Sequence, residues 1–280
     1  MEVSKIIEQY QKEFKLDVSG YFKGLQNINI YECLDTHLRY YYPFGLSGDG
    51  AFYDYLSNFQ NEYYPKDKWD FEEASKYIKK DDAVLEIGCG EGHFLNKIQT
   101  VTKNCIGLEL SSRAVKLGQD KGLNILNELI QSHSSKNAEE YDVVAAFQLF
   151  EHVEGIVEMF QSSVKALKKG GKLIITVPNN SSLIFKLNKY QTLNTPPHHM
   201  LLWDEKSLTA VAGIFGLKLI SLETQPPTKI LKSAVYKLQL EKWFGNGELA
   251  PFIHKTSRWF VKMLPLNLMN HSILAVYEKL

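Results

Sequence analysis

The segment Val84-Leu85-Glu86-Ile87-Gly88-Cys89-Gly90-Glu91-Gly92-His93-Phe94-Leu95 constrains this chain more than any other. An apolar run enters three glycines at alternate positions, and a helical pattern resumes behind them. Such a passage reads as strand, tight turn and helix. A second apolar run, Cys105-Ile-Gly-Leu-Glu-Leu110, puts Glu109 near the end of the next strand, about 20 residues on. This is the layout of a nucleoside site in an open α/β sheet. Glycines let backbone approach a ligand, and an acid at the tip of the second strand accepts from ribose hydroxyls.

Spacing separates the ligands such a site can take. A dinucleotide fingerprint has its third glycine where His93 stands; here the glycines fall at 88, 90 and 92. A pyrophosphate favours a helix N-terminus without acids, and Glu86 or Glu91 would repel it. An acid there suits a ligand carrying an ammonium or sulfonium. The E-x-G-C-G-x-G stretch resembles motif I of the class I S-adenosylmethionine-dependent methyltransferases, and Glu109 falls where that family keeps its ribose-binding acid.

The rest of the chain alternates strand and helix from residue 81. Strands are expected at Ala83–Ile87, Asn104–Leu110, Leu123–Leu126, Asp142–Phe147, Lys172–Val177, Leu217–Glu223 and Ser272–Tyr277. Helices are expected from His93 to about Val101, behind an N-cap at Ser111, from Ile156 to Lys168 with a stop at Gly170-Gly171, and over Ser207–Phe215. Periodicity supports a doubly wound α/β fold. The resemblance implies more: a Rossmann-like, seven-stranded, mostly parallel sheet, helices on both faces, the last strand inserted antiparallel. Residues 81–227 and 271–280 would form this core.

Two additions flank it. Residues 1–80 are aromatic-rich, with a short hairpin from Asn27–Tyr31 and Leu38–Pro43, a helix from Ala51 to about Gln60 and another over Phe71–Lys79. Residues 228–270 carry Lys229, Lys232, Lys237, Lys242, Lys255, Arg258 and Lys262 against Glu241 and Glu248, interleaved with apolar residues. They read as two basic amphipathic helices separated by Gly245-Asn-Gly247. Edge packing, a lid over the acceptor and a peripheral membrane or anionic surface all stay open.

Composition bounds the partners. Thirty-two Lys+Arg balance 32 Asp+Glu, so no global field draws the chain to nucleic acid. Phe147-Gln-Leu-Phe150 stands where a nucleic-acid methyltransferase of this type carries N-P-P-Y or D-P-P-Y. Three cysteines without C-x-x-C spacing fit a reducing compartment. With no leader-like apolar segment and no span of about 18 apolar residues, a cytoplasmic protein is expected, as monomer or homodimer.

Further segments carry the resemblance. Asp142-Val-Val with Phe150-Glu-His-Val153, and Leu167-Lys-Lys-Gly-Gly-Lys-Leu-Ile-Ile-Thr-Val-Pro178, look like family segments of small-molecule methyltransferases. These include the ubiquinone-biosynthesis O-methyltransferases and relatives in glycan and natural-product pathways. The resemblance implies S-adenosylmethionine as cofactor and a small-molecule acceptor. Oxygen is the expected acceptor atom. A sugar or natural-product C- or N-methyltransferase, and a cofactor-binding protein without turnover, are the alternatives. Some ubiquinone-type enzymes bind a divalent metal through E-x-x-E-H. Here Gln148 replaces the first acid, and Cys33 with Thr36 and His37 leaves a zinc-ribbon pattern incomplete, so no metal is expected.

Expected cofactor contacts are Glu86, the turn Gly88, Cys89, Gly90 and Gly92, the ribose acid Glu109 with Leu110, and Glu128 with Leu129 beside adenine. Phe147 and Gln148 would lie near the methionyl end. Tyr63, Tyr64 and Trp69 would either fold over the sulfonium or pack in the core. If the acceptor is a hydroxyl, a histidine base is expected. The candidates are His152, after the fourth strand, and His198 and His199, in Thr195-Pro-Pro-His-His199.

Overall fold

The computed structural model describes residues 1–59, 68–244 and 270–280. Its centre is a seven-stranded sheet. Three parallel strands, β3 (Val84–Ile87), β4 (Cys105–Leu108) and β5 (Ile125–Leu126), form one half. Strands β6 (Tyr141–Phe147), β7 (Leu167–Pro178), β9 (Leu217–Thr224) and β10 (Ser272–Lys279) form the other. The order is β5-β4-β3-β6-β7-β10-β9, and β10 lies antiparallel to both neighbours. The order reverses between β3 and β6, so a crevice opens at their carboxyl ends. Apart from Glu86 and Asp142, strands β3 and β6 are apolar, as suits strands covered by helices on both faces. One face takes α4 (His93–Ile98), with Phe94 and Leu95 against Cys105 and Val143. The other takes α7 (Ile156–Ala166), whose Met159 and Phe160 join Leu85, Val144 and Ile175.

Helix α5 (Ser112–Gln119) begins where Ser111 accepts from the Ala114 N–H, as expected for its cap. Helix α9 (Glu205–Ile214) opens on a reciprocal Asp204–Ser207 capping box. Several element ends shift by two to four residues from the sequence expectation, among them helix α4, helix α3 (Trp69–Ser75) and strand β5; the end of α7 differs in kind. Residues 167–171 do not continue helix α7 into a glycine stop; they already belong to β7. Pairing jumps from Tyr141–Leu167 to Val143–Lys172, so the extra residues bulge out. Gly170 takes a left-handed φ of 75°, and a Cβ on Gly171 would sit 2.9 Å from the Lys168 carbonyl. Lys168 Nζ meets Asp142 Oδ2 at 2.7 Å and holds the bulge to β6.

The N-terminal residues share the main core. An unexpected helix, α1 (Val3–Phe14), buries Val3, Ile6, Tyr10 and Phe14 on one face. The expected hairpin is present as β1 (Asn29–Glu32) and β2 (Arg39–Tyr42). A two-residue strand, β8 (Leu201–Leu202), extends it on the far side of β2. Helices α2 (Gly50–Phe59) and α3 (Trp69–Ser75) follow the hairpin. Two short helices, α6 (Ile130–Lys136) and α8 (Leu183–Leu187), were not expected.

The first half of the basic insertion is helix α10 (Lys229–Phe244). Its Val235 packs on Ile184 and Phe185 of α8. The second expected helix, after Gly245, lies outside the described residues. Among the described residues no helix is long and apolar enough to cross a membrane.

Candidate active site

A cavity of about 1230 Å³ occupies the crevice at the carboxyl edge. The turn after β3 forms one wall. Gly88, Gly90 and Gly92 all take left-handed φ values, of 68°, 52° and 77°, which other residues adopt only with strain. The turn uses its own donors. Gly88 and Cys89 N–H groups donate to the Leu108 carbonyl, Gly92 N–H to Cys89, and Gly90 N–H to Glu109 Oε2 at 2.9 Å. An incoming pyrophosphate would need such donors, so this turn suits a cationic or neutral group better. Gly92→Ala is expected to lower folding stability by about 2–4 kcal/mol through φ strain and overlap with the buried Leu123 methyl. Urea melts of the two proteins measure it.

Cys89 lies buried and points at the bare Cα of Gly107, where burial pushes its thiol up. That makes it a packing residue rather than a nucleophile.

Glu109 closes the same wall. Its Oε1 accepts from the backbone of Leu110 and Ser111, both at 2.8 Å, while Oε2 holds Gly90. A carboxylate offers about four acceptor directions, so capacity remains toward the cavity. Leu110 and Leu129 stand exposed at the rim. Glu128 is turned the other way: its oxygens engage His133 Nδ1 at 3.1 Å and Lys136 Nζ at 3.0 Å. Those partners hold its carboxyl below the usual range.

Glu86 lines the floor at 2% exposure, and its Oε2 has no hydrogen-bond partner among the described residues. Burial lifts its carboxyl well above the usual range; Lys68 opposes the shift, and Glu109 and Asp70 add to it. Asp70 is a site residue the sequence reading missed. It is buried at the cavity wall, accepts from Thr176 Oγ1 at 3.0 Å, and is also raised by burial. Phe147 packs edge-on to Phe71 and Phe94, and Gln148 follows it at a strained φ of 51°. The Gln148 Nε2 is buried without a hydrogen-bond partner among the described residues. Trp69 reaches the cavity from α3. Tyr63 and Tyr64 lie outside the described residues.

The three candidate bases meet at the other end of the same cavity. His152 follows β6, while His198 and His199 precede β8. The hairpin positions them: Met200 N–H and Leu201 N–H both donate to the Glu151 carbonyl, and Tyr41 N–H donates to Met200. Ring centroids are 4.6 Å apart for His152–His198 and 4.8 Å for His152–His199. Glu151, the second acid of the E-x-x-E-H pattern whose first position is Gln148, sits among them at 0% exposure. Its Oε1 is 3.9 Å from His152 Nε2 and 4.0 Å from His199 Nε2, too far for hydrogen bonds. Burial pushes Glu151 up to about 8 and His152 down to about 4, and holds His198 and His199 well below the usual imidazole range. The imidazoles are therefore neutral at pH 7. The sequence placed Glu151 only within the incomplete E-x-x-E-H pattern, not beside His198 and His199.

Solved structures share this fold. A SAM-dependent methyltransferase from Archaeoglobus fulgidus superposes with a TM-score of 0.55 at 17% identity, covering 75% of this chain and 91% of that one. The YcgJ protein from Bacillus subtilis gives 0.51 at 16% identity, covering 75% and 97%. Open sheet, glycine turn and strand-tip acid thus define a protein of the class I methyltransferase type. A family model described as a methyltransferase domain matches residues 59–222, more than half of the chain, and the chain belongs to that family.

Curated relatives include the ubiquinone biosynthesis O-methyltransferase of Serratia proteamaculans, 24% identical over 108 residues, 36% of this chain and 45% of that protein. The mitochondrial enzyme of Rattus norvegicus is 26% identical over 113 residues, 37% and 33%. The chain spans less than half the length of either relative.

Proposed function

We propose that the protein transfers a methyl group from S-adenosylmethionine to a small molecule, at oxygen, with the acceptor placed beside the histidine cluster. The observation that carries this reading is one cavity with two chemically distinct ends. At one end lie a glycine turn whose N–H groups are used, a strand-tip acid, and a buried Glu86 oxygen with no hydrogen-bond partner among the described residues. At the other lie neutral imidazoles. The cofactor, when bound, supplies a methyl group on an activated sulfonium. The chain's part is to align the acceptor and exclude water.

In this reading Glu109 accepts from ribose hydroxyls, and Gly88, Cys89, Gly90 and Gly92 form the floor. Glu86 faces the ammonium, and Phe147 and Gln148 flank the methionyl chain. Leu110 and Leu129 border adenine. Glu128, engaged by His133 and Lys136, would contact adenine only after breaking those pairs. Trp69, with Tyr63 and Tyr64, would cover the sulfonium. His199 or His198 takes the acceptor proton, or His152 does. Glu151, held up to about 8 by burial, ionises more readily beside the imidazolium that forms and then steadies it. Residues 81–227 with 271–280 act as the cofactor unit in this scheme. Residues 1–80 and 228–270 shape the acceptor end.

Incubation with methyl-labelled S-adenosylmethionine and a panel of phenols, catechols, amines and sugars tests the reading. Label is expected in an oxygen-methylated phenol or catechol. Transfer only to nitrogen or carbon would contradict the acceptor assignment.

Binding should also move a proton. Burial lifts the Glu86 carboxyl well above its usual range, and a ligand ammonium favours its carboxylate. S-adenosylhomocysteine affinity is therefore expected to rise with pH through the raised Glu86 value. Calorimetry near pH 6 should show enthalpies that differ between buffers of different ionisation heat. Buffer-independent enthalpies there, and unchanged affinity between pH 6 and 8, would contradict a Glu86–ammonium contact.

A further inference from the structure

We infer that Glu151, His152, His198 and His199 form a binding site for a divalent first-row transition ion at the acceptor end of the cavity. The sequence expectation of no metal weighed Gln148 and the cysteines, and treated the three histidines as alternative bases. The fold instead brings them together from two segments.

Three features converge on an ion. The candidate ligand atoms of the three imidazoles all lie within 4.8 Å of one another. Each ring faces an acceptor through Nδ1: His152 on the His198 carbonyl at 2.5 Å, His198 on the Leu193 carbonyl at 2.8 Å, His199 on Asn194 Oδ1 at 3.1 Å. Asn194 is itself fixed, since its Nδ2 donates to Asn180 Oδ1 at 2.8 Å. An outer acceptor on one ring nitrogen selects the tautomer that presents the other nitrogen's lone pair, the usual arrangement around a metal-ligating histidine. For His152 and His199 that other nitrogen faces Glu151.

The third feature is Glu151 itself. Among the described residues neither buried oxygen has a hydrogen-bond partner, an unfavourable state that a bound cation would relieve. Metal–nitrogen and metal–oxygen bonds of about 2.1 Å at tetrahedral angles separate ligand atoms by roughly 3.4 Å. The observed 3.9 and 4.0 Å need to close by about half an ångström. Imidazole-rich donors favour zinc, iron, cobalt or copper over magnesium or calcium, which prefer all-oxygen sets.

The site does not depend on the methyl-transfer reading, because metal binding is read without cofactor or acceptor. The full chain, stripped with chelator, would be titrated with Co²⁺ as a visible probe and then with Zn²⁺ in competition. We expect one ion per chain, visible bands of a nitrogen/oxygen-ligated cobalt centre, displacement by Zn²⁺, and no displacement by millimolar Mg²⁺. His199→Ala and Glu151→Gln should each weaken Zn²⁺ binding at least tenfold, with S-adenosylhomocysteine affinity within twofold. X-ray absorption of the wild-type zinc protein, which needs no variant to fold, should show imidazole scattering and no sulfur neighbour. Zn²⁺ binding weaker than 100 μM, sulfur ligation, or variants that bind zinc as wild type would overturn the assignment.

Discussion

His199→Gln is expected to lower turnover by about 10²–10⁴-fold, the usual share of a positioned acid–base group, while S-adenosylhomocysteine affinity stays within about twofold. His199 is buried, with Nδ1 on Asn194 and Nε2 facing Glu151. It lines the acceptor end, whereas Glu109 and the glycine turn belong to strands on the other side of the switch point. Glutamine roughly keeps the volume and can still donate to Asn194. It removes the imidazole lone pair, whether that pair takes a proton or holds an ion. Steady-state kinetics and calorimetry on the same preparation read the two quantities separately. Unchanged turnover would remove His199 from the mechanism and leave His198 or His152 as the base. A parallel loss of cofactor affinity would indicate general disruption of the cavity.

The second large effect is expected at Glu109. Glu109→Ala should weaken S-adenosylhomocysteine by roughly 10- to 150-fold, or about 1.5–3 kcal/mol, the scale of charge-assisted hydrogen bonds. Two contributions combine. The ribose hydroxyls lose their acceptor, and Gly90 loses the partner that holds its N–H at 2.9 Å. Glu109→Gln should fall between wild type and alanine, because one oxygen can still accept without charge. If both variants bind as wild type, Glu109 only shapes the turn.

Both predictions rest on residues whose positions were legible to different degrees. The turn was readable because three alternate glycines between a buried strand and a helix leave few conformations, and all three adopt left-handed φ. The β6–α7 and β9–β10 assignments followed from apolar runs long enough to show their period. Helix α1 carried an equally regular pattern in Val3, Ile6, Tyr10 and Phe14, yet the segment was weighed only as a leader. Strand β8 has two residues and no period to read. Helix α6 has one apolar residue, Ile130, and packs beside α7 through tertiary context. The β7 bulge copies a helix stop in sequence, because a glycine pair serves either purpose.

The histidine cluster shows the same limit more sharply. Each imidazole was identified, but Glu151 and the convergence of residues 151–152 with 198–199 depend on β8 joining the hairpin. That pairing links segments roughly 160 residues apart in the chain. No local pattern encodes it. The neutral state of the rings follows from that burial, not from their sequence neighbours.

The central claim is that this cavity takes S-adenosylmethionine rather than a dinucleotide. Calorimetric titration of the wild-type chain with S-adenosylhomocysteine, repeated in the presence of saturating NAD, tests it most directly. The account predicts one site per chain and an affinity that NAD leaves unchanged. Tighter binding of NAD than of S-adenosylhomocysteine, or competition between them, would contradict it.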